Sequence, residues 1–170
     1  LAKPFAKQIT KRIYKYSTKP VETQLKVLKK LIKSAKNTKF GNDHNFKNIH
    51  TYSDFKKNIP IRDYESLKMY VDEVVDGKTD ILWPGQPEYF AKTSGTTSGT
   101  KYIPLTKESV PYHIKAARNA LLMYIEETKN SNFLNGKFIF LQGSPELGDT
   151  NGIKTGRLSG ISAHYVPKYL

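Results

Sequence analysis

The 170-residue chain has no cysteine, one tryptophan and two methionines. Without cysteine it can form neither disulfides nor thiolate metal sites, which fits a reducing compartment. No apolar run approaches the ~20 residues of a membrane-spanning helix, and the basic amino terminus lacks the apolar segment of a signal peptide. The histidines show no metal-ligand spacing. The sequence therefore predicts a soluble, cytoplasmic protein with no metal ligands in this stretch.

Acidic residues are scarce, since 15 Asp and Glu accompany 28 Lys and Arg, for a net charge of +13. The excess is concentrated in residues 1–50, where Glu22 and Asp43 are the acids. Lysine greatly outnumbers arginine, whose planar fork reads base edges and stacks on nucleotides. The pattern favours a solvated lysine face. Weak, salt-sensitive attraction to polyanions or anionic membranes is the alternative.

Residues 1–40 are predicted to form two basic amphipathic helices. Apolar residues of the first recur at helical spacing: Phe5, Ile9, Ile13 and Tyr16. The second begins near Pro20, stops before Gly41, and has a predicted buried face: Val21, Leu25, Leu28, Ile32 and Ala35. Such stripes usually pack on a core, and adsorption to a membrane surface is the less common use.

Capping residues predict two short helices before residue 80. Ser53 is a candidate cap for a helical turn at 52–55, and Asp63 for a helix that ends near Gly77. The second helix is predicted to bury four apolar side chains: Leu67, Tyr70, Val71 and Val74. Pro84 and Gly85 mark a turn.

Residues 92–101, Lys-Thr-Ser-Gly-Thr-Thr-Ser-Gly-Thr-Lys, combine glycines, hydroxyls and flanking lysines. Glycine lets successive backbone N–H groups converge on one phosphate, and the hydroxyls and lysines add donors and charge. Short extended segments flank the run, so residues 88–105 are predicted to form a strand, a loop and a second strand. The spacing fits neither a Walker A loop nor a dinucleotide fingerprint. From the residues alone, a phosphate-binding loop and a mobile surface loop remain alternatives.

Beyond this loop, a long helix capped by Thr106 is predicted over residues 106–128. The apolar run 137–141 predicts a strand buried on both faces of a mixed or parallel sheet. Residues 143–152 and 155–160 are expected to be irregular and polar. Because ligands gather at the carboxyl ends of such strands, these loops are candidates to border a site.

The stretch 93–101 resembles the phosphate-loop motif of the adenylate-forming superfamily. Three further blocks precede it in the order found in the auxin-responsive acyl acid-amido synthetases and their bacterial relatives: residues 38–41, 59–65 and 81–85. The resemblance covers most of the chain, from residue 25 to residue 141. It implies an α/β fold in which residues 1–170 form the amino-terminal part of one large domain, with helices packed on a mixed β-sheet. The carboxyl-terminal domain of such enzymes is expected to be absent from this stretch.

The resemblance also implies an activity. The full-length enzyme is expected to bind ATP and Mg²⁺, to activate a carboxylic acid as an acyl-adenylate, and to pass the acyl group to an amine such as an amino acid. The 170-residue fragment is expected to be inactive alone, because the family's adenine, ribose and magnesium ligands come later. Lys101 is the implied catalytic partner of the departing pyrophosphate. The implied phosphate-binding residues are Ser94, Gly95, Thr96, Thr97, Ser98, Gly99 and Lys101.

In the resembled family the long helix lines the acyl pocket, which makes Arg118 and Leu122 candidate substrate contacts, together with His164. An ordinary surface arginine and a structural histidine are the alternatives. The expected partners are a small carboxylic acid and an amine, with no specific nucleic acid and no membrane span. A coenzyme A ligase of the same superfamily remains an alternative, since nothing specifies the acceptor. A basic nucleic-acid-binding module is the alternative from another class.

Overall fold

The computed structural model describes residues 2–93, 99–137, 139 and 141–165. Its α-helices are α1 (Ala2–Ser17), α2 (Pro20–Ala35), α3 (Lys39–Asp43), α4 (Tyr52–Asn58), α5 (Tyr64–Val75), α6 (Val110–Thr128) and α7 (Leu158–Ala163). Its strands are β1 (Tyr89–Thr93), β2 (Lys101–Leu105), β3 (Gly148–Thr150) and β4 (Ile153–Gly156). Short 3-10 helices span Phe46–Asn48 and Asn132–Asn135. No helix within these ranges is long and apolar enough to cross a membrane.

The four strands form one mixed sheet in the order β2-β1-β4-β3. β1 pairs antiparallel with β2, with Tyr89 opposite Leu105 and Thr93 opposite Lys101. On its other side β1 pairs in parallel with β4, and β3 closes the sheet as the antiparallel partner of β4. The predicted α/β class, with helices packed on a mixed sheet, is confirmed. The two strands that flank residues 94–98 are confirmed as well.

Strand β1 is buried on both faces because helices cover the sheet on both sides. Phe90 is fully buried and packs with Tyr70 and Val74 of α5. On the opposite face Ala91 packs with Ile161 of α7 and with the start of α6. Successive side chains of a strand point to opposite faces, so these contacts make the sheet the middle of three layers.

Helix α1 packs along α6, but its buried face is rotated from the predicted stripe. The contact joins Ala6 and Ile9 of α1 to Leu122 and Ile125 of α6. Ile9 and Ile13 of the predicted stripe do lie in this contact. Phe5 and Tyr16 are instead 42% and 52% exposed. The small side chain of Ala6 is fully buried and lets the two helices approach closely there. Hydrophobicity alone overlooks an alanine in this role.

Only the carboxyl-terminal half of α2 is buried. Ile32 and Ala35 belong to a cluster with the 3-10 helix at Phe46, whereas Val21 is 76% exposed and Leu25 is also exposed. The predicted buried face is therefore confirmed for its last turns and wrong for its first.

Gly41 lies inside α3 and does not end α2 as predicted. A Cβ at this position would come within 2.1 Å of the Ala35 carbonyl oxygen, so the glycine permits a close approach of two backbones. The end of α2 is joined to α3 by Thr38, whose hydroxyl donates to the Ala35 oxygen at 2.8 Å and accepts from the Gly41 N–H at 3.0 Å.

The caps of α4 and α5 differ in how well they were predicted. The cap of α4 is Thr51, not Ser53, because Thr51 and Asp54 exchange hydrogen bonds in a capping box. Asp63 caps α5 as predicted, with its carboxylate accepting from the Ser66 N–H at 2.8 Å. Gly77 follows that helix with φ +88°.

Helix α6 begins at Val110, four residues after the predicted cap. Thr106 and Ser109 instead hydrogen-bond to each other in a separate turn, each side chain accepting from the other's N–H at 3.2 and 3.0 Å. Pro111 lies in the first turn of α6, where a backbone N–H would have no acceptor within the helix, so the N–H that proline lacks is not missed.

The predicted buried strand at 137–141 is wrong for the residues that the structure describes there. Ile139 is 88% exposed and Leu141 is 97% exposed, and neither belongs to a strand. Phe138 and Phe140 lie outside the described residues. The parallel neighbour of β1 is β4 instead, in a region predicted to be irregular. An apolar run forms a buried strand only when another strand supplies its hydrogen-bonding partners.

The hairpin of β3 and β4 turns at Asn151 and Gly152, which have φ of +50° and +82°. Both residues are therefore in the left-handed region that a two-residue hairpin turn requires. An Asn-Gly pair is a strong hairpin signal, which the sequence interpretation overlooked. Asn151 also donates to the Val75 carbonyl oxygen at 2.7 Å, which ties the turn to the end of α5.

Candidate functional site

The carboxyl ends of the parallel strands β1 and β4 meet at one edge of the sheet. Lys92 and Thr93 end β1, and Arg157 directly follows β4. Residues 94–98 of the predicted phosphate loop lie outside the described residues. Gly99, with φ +79°, and Thr100 lead from that loop into β2 and are both exposed. In open α/β sheets this edge is where ligands bind.

A polar cavity of about 590 Å³ opens at this edge. It is lined by residues at the carboxyl ends of β1 and β4, by the residue before β2 and by the segment before β3: Lys92, Thr93, Thr100, Ser144, Glu146, Thr155, Gly156 and Arg157. We call it the polar cavity. Its volume lies within the usual range for small-molecule sites.

A larger cavity of about 790 Å³ adjoins the first. Most of its wall surface is apolar, and we call it the apolar cavity. Its walls come from β1, α6, α7 and the segment before β3: Lys92, Thr93, Ile114, Ala117, Leu141, Gln142, Arg157, Leu158, Ser159 and Ser162. Lys92, Thr93 and Arg157 line both cavities, so two cationic side chains and one hydroxyl lie where the cavities meet.

The two shared cations differ in how they are held. The Lys92 ammonium lies 5.7 Å from the centre of the Tyr102 ring. No carboxylate of the described residues lies within 4.0 Å of the Arg157 guanidinium, whose side chain packs against Gly143. Arg157 is thus a charge available to an anionic ligand. Glu146 contributes a carboxylate to the wall of the polar cavity.

Lys101 lies at the base of the predicted loop, on the side of α5. Its ammonium is 3.7 Å from a Glu65 carboxylate oxygen and 5.1 Å from the centre of the Tyr64 ring. The Tyr64 hydroxyl accepts from the Tyr102 N–H at 2.9 Å and donates to the Tyr102 carbonyl at 3.4 Å. The first residues of α5 therefore hold both the start of β2 and the lysine that opens it.

Asp63, immediately before these residues, has a pKa lowered from its ordinary value. The hydrogen bonds from Ser66 are the main cause, and the nearby charge of Lys101 adds to them. The carboxylate is thus stabilised as an anion close to Lys101.

The structure does not bring the three predicted substrate contacts together with the cavities. Arg118 lies over the Phe5 ring of α1 at 5.7 Å, and Leu122 is buried in the contact between α1 and α6. The exposed His164 ring donates to the Pro145 carbonyl oxygen at 2.8 Å. The walls of the apolar cavity include Ile114 and Ala117 of α6 instead.

Sequence reasoning singled out Lys101 but missed Arg157 as a site residue. The available signal was the Asn151-Gly152 turn, which predicts a hairpin and therefore a strand that ends just before Arg157. Within the described part of the chain, no group of three or more His, Asp or Glu side chains is placed to hold a metal ion.

Residues 9–167 match the family model described as the GH3 family N-terminal domain. The chain belongs to this family. The resemblance to acyl acid-amido synthetases is confirmed. A relative from Arabidopsis thaliana, indole-3-acetic acid-amido synthetase GH3.15, is 39% identical over 62 residues, which are 35% of this chain and 10% of the relative.

Two solved structures of GH3.15 share this fold. One, "AtGH3.15 acyl acid amido synthetase in complex with 2,4-DB", gives a TM-score of 0.72 at 23% identity, over 84% of this chain and 25% of that one. The other, "GH3.15 acyl acid amido synthetase", gives 0.78 at 20% identity, over 92% and 28%. At these identities the likeness shows the fold alone. The chain spans about a quarter of the length of these structures.

Proposed function

We propose that this chain is part of an ATP-dependent ligase that joins a carboxylic acid to an amine. The observation that carries the proposal is the junction of a polar and an apolar cavity at Lys92, Thr93 and Arg157, beside the predicted phosphate loop. Membership of the GH3 family and the names of the relatives support it. The cysteine-free composition is consistent with an enzyme of the cytoplasm.

The two cavities suit the two reactants of the first step. The polar cavity takes phosphate groups of ATP, and the apolar cavity takes the hydrocarbon part of the acid. The acid's carboxylate then lies at the shared residues, facing the α-phosphorus. A carboxylate oxygen bonds to that phosphorus, the phosphorus–oxygen bond to the β-phosphate breaks, and pyrophosphate leaves with the bonding electrons. In the second step the amine nitrogen bonds to the acyl carbon, the bond from that carbon to the AMP oxygen breaks, and AMP leaves with the bonding electrons while the nitrogen releases a proton.

The described residues fit a triphosphate at the polar cavity. Gly99 has a positive φ, which glycine adopts more readily than other residues. Thr93 and Thr100 offer hydroxyls to the phosphates, and Lys92 and Arg157 offer positive charge. Residues 94–98 are proposed to add backbone amides and hydroxyls to the β- and γ-phosphates. Mg²⁺ neutralises phosphate charge when bound with ATP, and we expect its protein ligands beyond the described residues.

Lys101 is proposed to stabilise the departing pyrophosphate. In the structure its ammonium lies beside Glu65, so engaging the phosphates means exchanging that exposed ion pair for a more highly charged partner. An exposed pair of this kind contributes about 0–1 kcal/mol, which is small beside the ~3–4 kcal/mol that a transition-state donor supplies. The exchange is therefore energetically accessible.

Arg157 is proposed to contact the acid's carboxylate or the α-phosphate at the junction of the cavities. The roles expected for Arg118, Leu122 and His164 are untested predictions. Because these residues lie outside the cavity walls, we propose Arg157 instead of Arg118 for the charged contact.

The test of the function is ATP-dependent amide formation by the full-length protein, screened over carboxylic acids with amino acids as acceptors. We expect AMP release that requires both the acid and the amine. Lys101→Ala is expected to lower kcat roughly 100-fold or more. Lys107→Ala, which removes an exposed charge from the turn before α6, is the matched control.

Two results would count against the proposal. Product formation only with coenzyme A as acceptor would indicate the thioester-forming ligase of the same superfamily. Absence of acid-dependent AMP release with every acid and acceptor would show that the protein is not a ligase of this kind.

A further inference from the structure

A second concave surface lies on other elements, between α2 and the 3-10 helix at Phe46–Asn48. It encloses about 310 Å³. We call it the basic pocket, and its lining combines cationic and apolar side chains: Lys29, Ile32, Lys33, Lys36, Phe46, Lys47, Ile49 and His50. None of these residues belongs to the two cavities at the sheet edge.

The charges of the basic pocket stand on two opposing walls. Lys29 and Lys33 lie on α2, and Lys36 directly follows it with helical backbone angles. Their spacing of four and three residues places them on one face. Lys47 of the 3-10 helix and His50 line the pocket from the other element.

The floor of the basic pocket is apolar and well packed. Ile32, Phe46 and Ile49 are all buried and form one cluster with Ala35. The pocket is therefore anchored to the core of the molecule by its floor. An apolar floor lowers the local dielectric and strengthens the interaction of the rim charges with a bound anion.

The lysines of the rim have no acidic partners among the described residues. No carboxylate there lies within 4.0 Å of Lys29, Lys33, Lys36 or Lys47, whereas other lysines of the protein do form ion pairs. The carboxylate beside His50 is Asp54, whose oxygen already accepts the N–H groups of His50 and Thr51 at 3.1 and 2.8 Å.

Like charges at this spacing repel, and a bound anion relieves the repulsion. We propose that the basic pocket binds an anion that carries two or more phosphate groups, supplied by a free polyphosphate compound or by a phosphorylated lipid head group. Four lysines exceed what a single carboxylate neutralises, and lysine suits phosphate as a point charge. The small volume limits the ligand to a compact cluster of charges. The proposal is independent of the ligase function.

The experiment is calorimetric titration of the full-length protein with inorganic tripolyphosphate near physiological salt. The variant Lys29→Gln/Lys33→Gln/Lys36→Gln removes the positive charges from one wall of the pocket, and glutamine has a helix propensity close to that of lysine. The control Lys7→Gln/Lys11→Gln/Lys15→Gln removes the same charge from α1. We expect about tenfold weaker binding or worse for the pocket variant, and a change within about twofold for the control.

Further measurements separate this site from the loop and identify the phosphate source. Lys47→Gln is expected to weaken tripolyphosphate binding to the same extent with and without Gly95→Val, because Gly95 belongs to the predicted phosphate loop and not to the basic pocket. Vesicles that contain phosphatidylinositol bisphosphate are compared with phosphatidylserine vesicles of equal surface charge. A preference for the former that tripolyphosphate abolishes assigns the lipid source, and tripolyphosphate binding without that preference assigns the free one. Equal weakening by the pocket and control variants, or no binding of either ligand, overturns the proposal.

Discussion

At the scale of single residues, Tyr64 connects the helical layer to the edge of the proposed site. Its hydroxyl makes both hydrogen bonds to the Tyr102 backbone, and its ring lies under the Lys101 ammonium. The sequence placed Tyr64 only as the start of a helix. Its contact with β2 depends on which strand lies beside α5, and local sequence patterns carry no such information.

Tyr64→Phe removes the hydroxyl and leaves the Tyr102 N–H without that partner. We expect a loss of about 1–2 kcal/mol in unfolding free energy, together with faster hydrogen exchange in β2. Urea unfolding and amide exchange of the full-length protein measure the two effects. Tyr16→Phe, at an exposed position on α1, is the control and should change stability by less than about 0.5 kcal/mol. Equal effects of the two changes would contradict this account.

Gly41 illustrates a different requirement at this scale, namely space. A Cβ there meets the Ala35 oxygen at 2.1 Å, so Gly41→Ala forces α2 and α3 apart. We expect destabilisation of about 1–3 kcal/mol, as for other overpacked sites. Gly136→Ala, where the nearest atom is 3.8 Å away, is the matched control and should be nearly neutral. Thermal unfolding compares them, and a neutral Gly41→Ala would refute the close approach.

At the scale of elements, both ends of α5 were predicted correctly, whereas the predicted caps Ser53 and Thr106 do not cap α4 and α6. Asp63 and Gly77 bound α5 as expected because capping and positive φ are local properties. The face of α1 was predicted less well, because packing against α6 decides it. The described residues of the run 137–141 form no strand for a similar reason, since pairing depends on neighbours distant in sequence.

The caps of α4 and α5 predict a dependence of helix stability on pH. The pKa of Asp54 is lowered by hydrogen bonds from Thr51, and that of Asp63 by hydrogen bonds from Ser66. A folded pKa below the unfolded value of about 3.9 contributes stability above that pH, and the contribution is lost as pH falls through the folded pKa.

We therefore expect the start of α5 to fray in acid, and Asp63→Asn to reduce this dependence. Asparagine caps a helix as well as aspartate does but does not titrate. Amide exchange of residues 64–67 between pH 5 and about pH 3 measures the effect. An unchanged acid dependence in Asp63→Asn would assign it to other groups.

At the scale of the whole molecule, the sheet forms the candidate site by placing β4 next to β1. These strands are far apart in sequence, yet their carboxyl ends bring Lys92, Thr93 and Arg157 to one edge. The family was recognisable from the sequence, and the phosphate loop stays a prediction. Arg157 and the apolar wall were not recognisable, because they follow from strand order. The sequence likewise shows an excess of lysine, but only the fold shows that four of these lysines line one pocket.

The central claim is that acid and ATP meet at Arg157, where the polar and apolar cavities join. Exchange of labelled pyrophosphate into ATP by the full-length protein, measured against acid concentration, tests it most directly. We predict that Arg157→Gln lowers kcat/KM for the acid by roughly 10- to 100-fold, the loss of one charged hydrogen bond, and that Arg118→Gln leaves it nearly unchanged. A loss in Arg118→Gln with full activity in Arg157→Gln would contradict the account.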